Sequence, residues 1–153
     1  MSRIDHIETF WLYYLSEHAD PTTRALHFVG TTGFFVALAS SLWLSPLTTG
    51  PALAAAFLTL SGASRFIEPR RTSFLPGALV VVLLVAAMPT IMPFGIVFGY
   101  LCAWVGHFNF EGNRPATFRY PVWSLICDLR MYRRMCRGQL WTGDLSRGVL
   151  ESA

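Results

Sequence analysis

A histidine and a carboxylate stand close together where a long apolar segment of the chain ends. The stretch from Tyr100 to Pro121 reads YLCAWVGHFNFEGNRPATFRYP, with His107 and Glu111 four residues apart. On a continuing α-helix, side chains four residues apart lie on the same face. An imidazole and a carboxylate on one face are ligands that suit Fe(II), Zn or Mn. The end of this segment is therefore a candidate metal site.

Two further histidines are available from the start of the chain. His18 comes just before the first apolar segment and His27 lies in its first turn, whereas His6 falls on the exposed side of an expected surface helix. Ionisable groups inside a membrane segment are costly and usually face an interior site. We therefore expect His18, His27 and His107 to converge on one site and leave His6 out of it. The alternative is that each imidazole only anchors its helix through a hydrogen bond.

The segments that must position these histidines have the composition of membrane helices. Apolar residues make up 53% of the 153-residue chain and charged residues only 14%. No Asp, Glu, Lys or Arg occurs from Ala25 to Ser64, or from Thr72 to Phe110. A spanning helix needs roughly 20 apolar residues, so each run has room for two passes. A soluble all-α core is disfavoured because soluble helices normally carry a polar face.

Proline and glycine divide the two apolar runs into four predicted helices. The breaks are expected at Ser45-Pro46 with Gly50-Pro51 in the first run, and at Pro89 and Pro93 in the second. The helices predicted between these breaks are Leu26–Leu44, Ala52–Ser64, Phe74–Met88 and Phe94–Phe110. The second is short, since about 13 residues reach only about 20 Å, and whether it spans fully is left open.

The charged residues predict the orientation of the four passes. All twelve basic residues are Arg, and in a four-pass arrangement they lie on one side. By the positive-inside rule, both termini and the histidines then face the cytoplasm, and we expect an integral protein of the inner (cytoplasmic) membrane. Ile4–Glu17 and Pro121–Arg137 show helical apolar periodicity and are predicted to be interfacial helices. The arginines near the end of the second one suit anionic lipid or form a solvated face.

The whole chain is predicted to be one all-α membrane domain, residues 1–153. Residues 1–24 form the interfacial helix and a loop, 25–110 the four-pass bundle, and 111–153 a cytoplasmic loop with the second amphipathic helix. The first 24 residues are polar, so no cleaved signal peptide is expected. The three cysteines lack C-x-x-C spacing and are expected to be reduced thiols. Membrane lipid is an expected partner and nucleic acid is not, while the oligomeric state is left open.

Two arginines are candidates for binding a carboxylate near the histidines. Arg24 precedes His27 by three residues, and Arg114 follows Glu111 by three in the stretch Asn113-Arg114-Pro115, which should stop the helix. A guanidinium fork can hold a substrate carboxylate. Pairing with Glu111, Glu17 or lipid phosphate is the alternative for each.

Two blocks of the sequence resemble a known membrane-protein family. They read FWLYYLSEHADPTTRALHFVGT and GYLCAWVGHFNFEGNRPATFRYPVWSLICDLRM. They resemble the 2-hydroxy-fatty-acid dioxygenases typified by the fungal enzyme that acts in metabolism of phytosphingosine to odd-numbered fatty acids. The first block carries an H-x-x-P element with a second histidine nine residues after the first, at His18, Pro21 and His27. The second block carries G-H-x-x-x-E, at Gly106, His107 and Glu111.

This resemblance implies an Fe(II)-dependent enzyme that uses O2 to remove one carbon from a 2-hydroxy fatty acid and releases CO2. It implies that His18, His27 and His107 are the iron ligands. Glu111 is then either a fourth ligand or a partner that fixes an imidazole. The resemblance covers the two ends of the chain, and the apolar middle is matched by hydropathy alone.

Two other classes of function remain as alternatives. A b-type haem or electron-carrying membrane protein would use two of the histidines as axial ligands, and it predicts a Soret band that is lost on replacing His27 or His107. A non-catalytic lipid-binding protein would bind no stoichiometric metal. A diiron hydroxylase is disfavoured because four histidines are too few for its ligand set.

Overall fold

The computed structural model describes residue 4 and residues 6–66, 74–115 and 120–143 of the chain. Within these ranges the fold contains α-helices, one π-helical turn and no strand, so the predicted all-α class is confirmed. The helices are α1 (Ile7–Ser16), α2 (Pro21–Leu44), α3 (Pro46–Phe66), α4 (Phe74–Ala87), α5 (Met92–Val105) and α6 (Pro121–Cys136), with the π turn at Gly106–Glu111 between α5 and α6.

Helix α2 begins five residues before its predicted start at Leu26. The Asp20 side chain caps it by accepting a hydrogen bond from the backbone N–H of Thr22 at 2.6 Å, and Pro21 takes the first helical position. Both features favour a helix start. A capping carboxylate accepts a hydrogen bond from a backbone N–H that has no partner within the helix, and proline has no N–H that would need such a partner. His27 therefore lies in the second turn of the helix, not the first.

Helix α3 is longer than the predicted Ala52–Ser64. The predicted break at Gly50-Pro51 is wrong, because Pro51 lies inside α3 and the chain leaves helical geometry only at Ser45 between α2 and α3. As the sixth residue of α3, Pro51 removes the hydrogen bond that its N–H would have donated to the Leu47 carbonyl, and the helix continues despite this loss. The hydroxyl of Thr49 donates to the Ser41 carbonyl at 3.1 Å and so ties the two helices together at their junction.

The remaining helices follow their predictions closely, with one exception. Helix α4 ends one residue before the predicted Met88, and α1 and α6 lie within the predicted interfacial helices. The exception is the predicted helix Phe94–Phe110, which is α-helical only to Val105 and then widens into the π turn.

Small residues let α2 and α5 pack with their backbones close together. A Cβ atom added at Gly30 would lie 2.9 Å from the Cβ of Cys102 and 3.1 Å from the Gly99 carbonyl oxygen. One added at Gly95 would lie 2.5 Å from the Cβ of Ala37. Close approach through small residues is typical of helix pairs in membranes. In this fold it brings the start of α2 beside the end of α5, where His27 and His107 stand.

Helices α1 and α6 form a separate cluster beside that end of the bundle. Their contact is aromatic and sulfur-rich, with Phe10, Trp11 and Tyr14 of α1 buried against Met131 and Met135 of α6. The guanidinium of Arg130 lies 4.7 Å from the centre of the Trp11 ring, which adds a cation–π contact. This packing holds α6 within reach of the histidines.

Much of the bundle exterior is apolar. Trp43, Leu47, Phe57 and Phe94 are each at least 70% exposed, and large exposed apolar surfaces are typical of contact with a membrane or another protein. Among the described residues, α2 is the one helix long and apolar enough to cross a membrane, and α4 is apolar but shorter. Five of the arginines that were used to predict the orientation lie outside the described residues: Arg3, Arg70, Arg71, Arg119 and Arg147.

Candidate metal centre

The three predicted histidines lie together at one end of the bundle. His18 comes from the loop after α1, His27 from α2 and His107 from the π turn. Their ring centroids are 4.6 Å apart for His18 and His27, 4.6 Å for His18 and His107, and 5.3 Å for His27 and His107. One ligand atom from each lies within 4.8 Å of the others, and all three side chains are buried. The arrangement can hold a metal ion.

Two of the imidazoles are oriented by oxygen atoms that face their Nδ1 atoms. His18 Nδ1 lies 2.6 Å from the carbonyl oxygen of Tyr14, one turn earlier in the chain. His27 Nδ1 lies 2.8 Å from Oδ1 of Asp128, which α6 brings to it. A carbonyl and a carboxylate only accept hydrogen bonds, so each Nδ1 carries the hydrogen and donates it. In a neutral imidazole this leaves a lone pair on Nε2.

The third imidazole is oriented by a turn that folds back on the π turn. Gly112 takes a left-handed conformation with φ of 65°, which glycine adopts without strain, and the chain reverses there. The backbone N–H of Asn113 then donates to the His107 carbonyl at 3.1 Å. The Asn113 Oδ1 atom accepts from His107 Nδ1 at 2.7 Å. Its amide nitrogen donates to the Glu17 carbonyl at 2.9 Å, which fixes the orientation of the amide.

The Nε2 atoms of His18 and His27 are buried and have no hydrogen-bond partner among the described residues. Leaving a buried polar atom without a partner costs about 1–3 kcal/mol. A metal ion would satisfy both atoms at once, because both belong to the converging group. Three neutral imidazoles are a ligand set for Fe(II), Zn or another first-row divalent ion. The residues present therefore fit a bound metal.

The electrostatics of the site also favour the ligand form of the imidazole. Burial lowers the pKa of His18 well below its ordinary value, and the neighbouring imidazoles of His27 and His107 lower it further. A histidine with a lowered pKa is neutral at pH 7 and keeps its lone pair. No proton then has to leave His18 before a metal binds.

Asp128 is held as a carboxylate by its neighbours. Burial would raise its pKa, but the electrostatic interaction with His27 and the hydrogen bonds from His27 and Tyr14 outweigh burial, and the pKa lies below its ordinary value. The Tyr14 hydroxyl donates to the same Oδ1 atom at 2.7 Å. The acceptor of the His27 Nδ1–H is therefore ionised at neutral pH.

Glu111 lies beside the cluster and bonds elsewhere. Its Oε1 atom accepts a hydrogen bond from the backbone N–H of Asp20 at 2.8 Å, which ties the π turn to the loop that carries His18. Among the described residues, the converging ligand group contains the three histidines without Glu111. The expectation that Glu111 shares a face with His107 assumed a continuing α-helix, and the π turn changes the angular spacing after His107. A role as metal ligand stays a prediction.

Arg24 is fully buried and bonds to backbone carbonyls. Its Nε–H donates at 2.8 Å to Leu140, one Nη donates at 2.6 Å to His18 and at 2.8 Å to Ala19, and the other donates to Thr142. These contacts favour a structural role that joins the His18 loop to the segment after α6. Arg114 is exposed after the π turn. Binding of a substrate carboxylate by either arginine stays a prediction.

Three residues that orient the histidines were not predicted from the sequence. Tyr14 was assigned to the apolar face of its helix, and Asn113 only to helix termination. Asp128 carries a signal that could have been used, because it is the single acidic residue in a helix with three arginines. A lone carboxylate in a basic amphipathic helix suggests a specific partner.

One comparison with known proteins gives a match over most of the chain. A family model described as 2-hydroxy-palmitic acid dioxygenase Mpo1-like matches residues 4–140. The comparisons with curated proteins and with solved structures give no match. The matched stretch includes all the described helices and the three histidines.

Proposed function

This chain belongs to the 2-hydroxy-palmitic acid dioxygenase Mpo1-like family, and on that premise we propose that it is an Fe(II)-dependent dioxygenase that converts 2-hydroxy fatty acids to fatty acids one carbon shorter. The family name supports a dioxygenase acting on a 2-hydroxy fatty acid. The observation that carries the metal dependence is the convergence of three buried histidines, two of which have Nε2 atoms without a partner.

The proposed reaction balances without a further reductant. A 2-hydroxy acid and O2 give the acid one carbon shorter, CO2 and water. Four electrons leave the substrate as its C1–C2 bond breaks, and one O2 accepts four. Bound iron would supply the oxygen-binding and redox chemistry that the side chains lack.

In this proposal the protein holds and orients the metal ligands. His18, His27 and His107 bind the ion through Nε2, while Asp128 and Asn113 accept the Nδ1–H bonds of His27 and His107. Such partners fix the tautomer and direction of a ligand imidazole. Three protein ligands leave coordination positions for substrate and O2. Glu111 supports the set through its bond to the loop that carries His18.

The placement of the site suits an amphiphilic substrate. The polar head of a 2-hydroxy fatty acid would reach the histidines at one end of the bundle, with its acyl chain along the apolar helices. Arg114, exposed after the π turn, is the candidate to bind the carboxylate. The proposed arrangement is four passes through the inner membrane, with both termini and the histidines at the cytoplasmic face. The exposed apolar side chains of α2, α3 and α5 support it.

Cysteine labelling tests the proposed orientation. Cys136, at the end of α6, is exposed, whereas Cys127 is buried. A membrane-impermeant maleimide should label Cys136 in inverted inner-membrane vesicles and leave it unlabelled in right-side-out vesicles. Loss of the label in Cys136→Ser identifies the site. Equal labelling in right-side-out vesicles would overturn the orientation.

Product analysis tests the proposed reaction. The protein, purified without oxygen and loaded with Fe(II), is given a 2-hydroxy fatty acid or the same acid without its 2-hydroxyl group. We expect a shortened acid from the hydroxylated substrate alone, and only after O2 is added. A shortened product from both acids, or one formed without O2, would contradict the proposal.

A further inference from the structure

Tyr14 contacts the metal site in three ways. Its backbone carbonyl accepts the hydrogen bond from His18 Nδ1 at 2.6 Å. Its ring stacks on the His18 imidazole, with centroids 4.1 Å apart and 25° between the planes. Its hydroxyl donates at 2.7 Å to Asp128 Oδ1, the same oxygen that lies 2.8 Å from His27 Nδ1. One residue of α1 is thus linked to two of the three histidines.

We infer that Tyr14 and Asp128 are positioning residues that fix the orientation of His18 and His27 together and so set the affinity of the site for its metal. This inference rests on the proposed function, because it requires that the histidines bind a metal. Neither residue needs to contact the metal or the substrate. The hydroxyl of Tyr14 acts on His27 through Asp128.

The shared oxygen atom is the basis for coupling the two residues. The Asp128 side chain is 30% exposed, so its carboxylate could turn toward water if nothing held it. The tyrosine hydroxyl holds Oδ1 in the direction of His27. Hydrogen bonds to an ionised group are stronger than neutral ones, and they strengthen one another where water is partly excluded. A carboxylate that accepts the Nδ1–H of a ligand imidazole also raises the basicity of that ligand.

The third histidine provides an internal contrast. His107 is oriented by Asn113, which in turn bonds to Glu17. Neither Asp128 nor the Tyr14 hydroxyl takes part in the hydrogen bond between His107 and Asn113. Removing the Tyr14 hydroxyl or the Asp128 carboxylate should therefore disturb the position of His27, while the Tyr14 carbonyl and ring still orient His18 and the Asn113 bond still orients His107.

The test is metal affinity measured on the full-length apo-protein in detergent. Anaerobic titration with Co(II) reports both binding and ligand geometry through the visible absorption of the ion. We expect Asp128→Asn to weaken Co(II) binding by about 10–100-fold, the usual effect of losing such a partner. Tyr14→Phe, which keeps the ring and the carbonyl, should weaken it less and should shift the Co(II) absorption bands.

Two matched control variants lie on the same helices. Glu8→Gln removes an exposed carboxylate of α1 that bonds to Arg130 at 2.8 Å. Tyr132→Phe removes a phenol hydroxyl of α6 that lies 3.3 Å from the Thr32 hydroxyl. Both should keep the Co(II) affinity and spectrum of the unchanged protein.

The double variant decides whether Tyr14 acts through Asp128. Residues that act in series have non-additive effects, so Tyr14→Phe combined with Asp128→Asn should bind Co(II) as weakly as Asp128→Asn alone. Additive losses, or single variants that bind as well as the controls, would overturn the inference. If Asp128→Asn does not fold, as judged by circular dichroism, the inference is tested by comparing the Co(II) affinity and spectrum of Tyr14→Phe with those of Tyr132→Phe.

The result also separates this inference from the proposed function. If the unchanged protein binds no Co(II) and no iron, both fail together. If it binds metal and all four single variants bind it equally well, only the positioning role fails, and the proposed dioxygenase activity stands.

Discussion

The two ends of the helical bundle are held by different kinds of contact. At the histidine end, formed by α1, the loop with His18, the π turn and α6, side-chain hydrogen bonds join segments about a hundred residues apart, such as Tyr14 to Asp128. At the opposite, apolar end, formed by the last turns of α2 and α4 with the first turns of α3 and α5, hydroxyls bond to backbone carbonyls of their own helix or of a neighbouring one. Ser41 donates to the Ala37 carbonyl at 2.8 Å, and Thr49 donates to the Ser41 carbonyl at 3.1 Å.

This difference shows which part of the structure is specified by contacts within the protein and which part depends on its surroundings. At the histidine end, directional bonds from several segments specify one arrangement of the imidazoles. At the apolar end, side chains such as Trp43 and Leu47 are exposed, so the free energy of this part of the fold depends on what covers that surface. Changes at the histidine end should therefore alter both folding and metal binding, while changes at the apolar end should leave metal binding intact.

The largest effect on stability is expected for Arg24→Ala. The change removes hydrogen bonds to four backbone carbonyls and leaves the buried ones without partners. We expect the free energy of unfolding in detergent to fall by about 3 kcal/mol or more, measured by thermal unfolding. Arg133→Ala, at an exposed position of α6, is the control and should have little effect.

The same variant distinguishes two roles for Arg24. An unchanged free energy of unfolding combined with a raised KM for the 2-hydroxy acid would support the substrate-binding role predicted from the sequence. It would also contradict the structural role that the contacts favour.

Metal loading should stabilise the histidine end by the next largest amount. A ligand at 100 times its Kd stabilises the folded state by about 2.7 kcal/mol. Because the three histidines come from separate segments, we expect hydrogen exchange to slow in α1 and α6 when Fe(II) is added and to change little in α3 and α4. His27→Ala should abolish the effect. Equal stabilisation of that variant would show that the metal binds elsewhere.

Replacing Gly30 should disturb the contact between α2 and α5. A Cβ atom there would lie 2.9 Å from the Cβ of Cys102, and such overpacking costs about 1–3 kcal/mol. Because the change separates the helices that carry His27 and His107, Gly30→Ala should also weaken Co(II) binding.

Gly62→Ala is the matched control in α3, where an added Cβ atom would meet nothing within 4 Å. It should be neutral or raise the free energy of unfolding by up to about 1 kcal/mol. Weaker metal binding in Gly62→Ala than in Gly30→Ala would contradict a specific role for the close contact between α2 and α5.

The smallest effect is the pH dependence of the apo-protein. The pKa of His18 lies well below 6.5 in the folded state, so below pH 6.5 the unfolded chain binds a proton that the folded one does not. The free energy of unfolding should therefore fall with pH below this value, by up to about 1.4 kcal/mol per unit. Denaturant titrations at several pH values check this. His18→Gln should flatten the dependence, and a stability that rises on acidification would contradict it.

The sequence predicts the helices and the convergence of the histidines well, because both follow from long-range patterns. Charge-free runs and prolines place α2 to α5, and the arginine distribution puts His18, His27 and His107 at one end. The break at Pro51 was wrong because the same residue can end a helix or stand near the start of one. Local sequence does not separate these two cases.

The residues that orient the imidazoles depend on tertiary structure and were not predictable in the same way. Asp128 reaches His27 only because α6 packs across the start of α2. Asn113 reaches His107 only because the π turn and Gly112 reverse the chain. Helical periodicity instead suggested Glu111, whose carboxylate bonds to the N–H of Asp20. Spacing in the sequence identified the candidate ligands and missed the partners that orient them.

The central claim is most directly tested by comparing metal content and product formation in the unchanged protein and in His107→Ala. Both are purified without oxygen, analysed for iron, and given a 2-hydroxy fatty acid labelled at its carboxyl carbon, followed by O2. We expect one iron per chain and labelled CO2 in amounts equal to the shortened acid for the unchanged protein, and neither for a folded His107→Ala variant. Iron absent from the unchanged protein, or turnover undiminished in His107→Ala, would contradict a dioxygenase built on these three histidines.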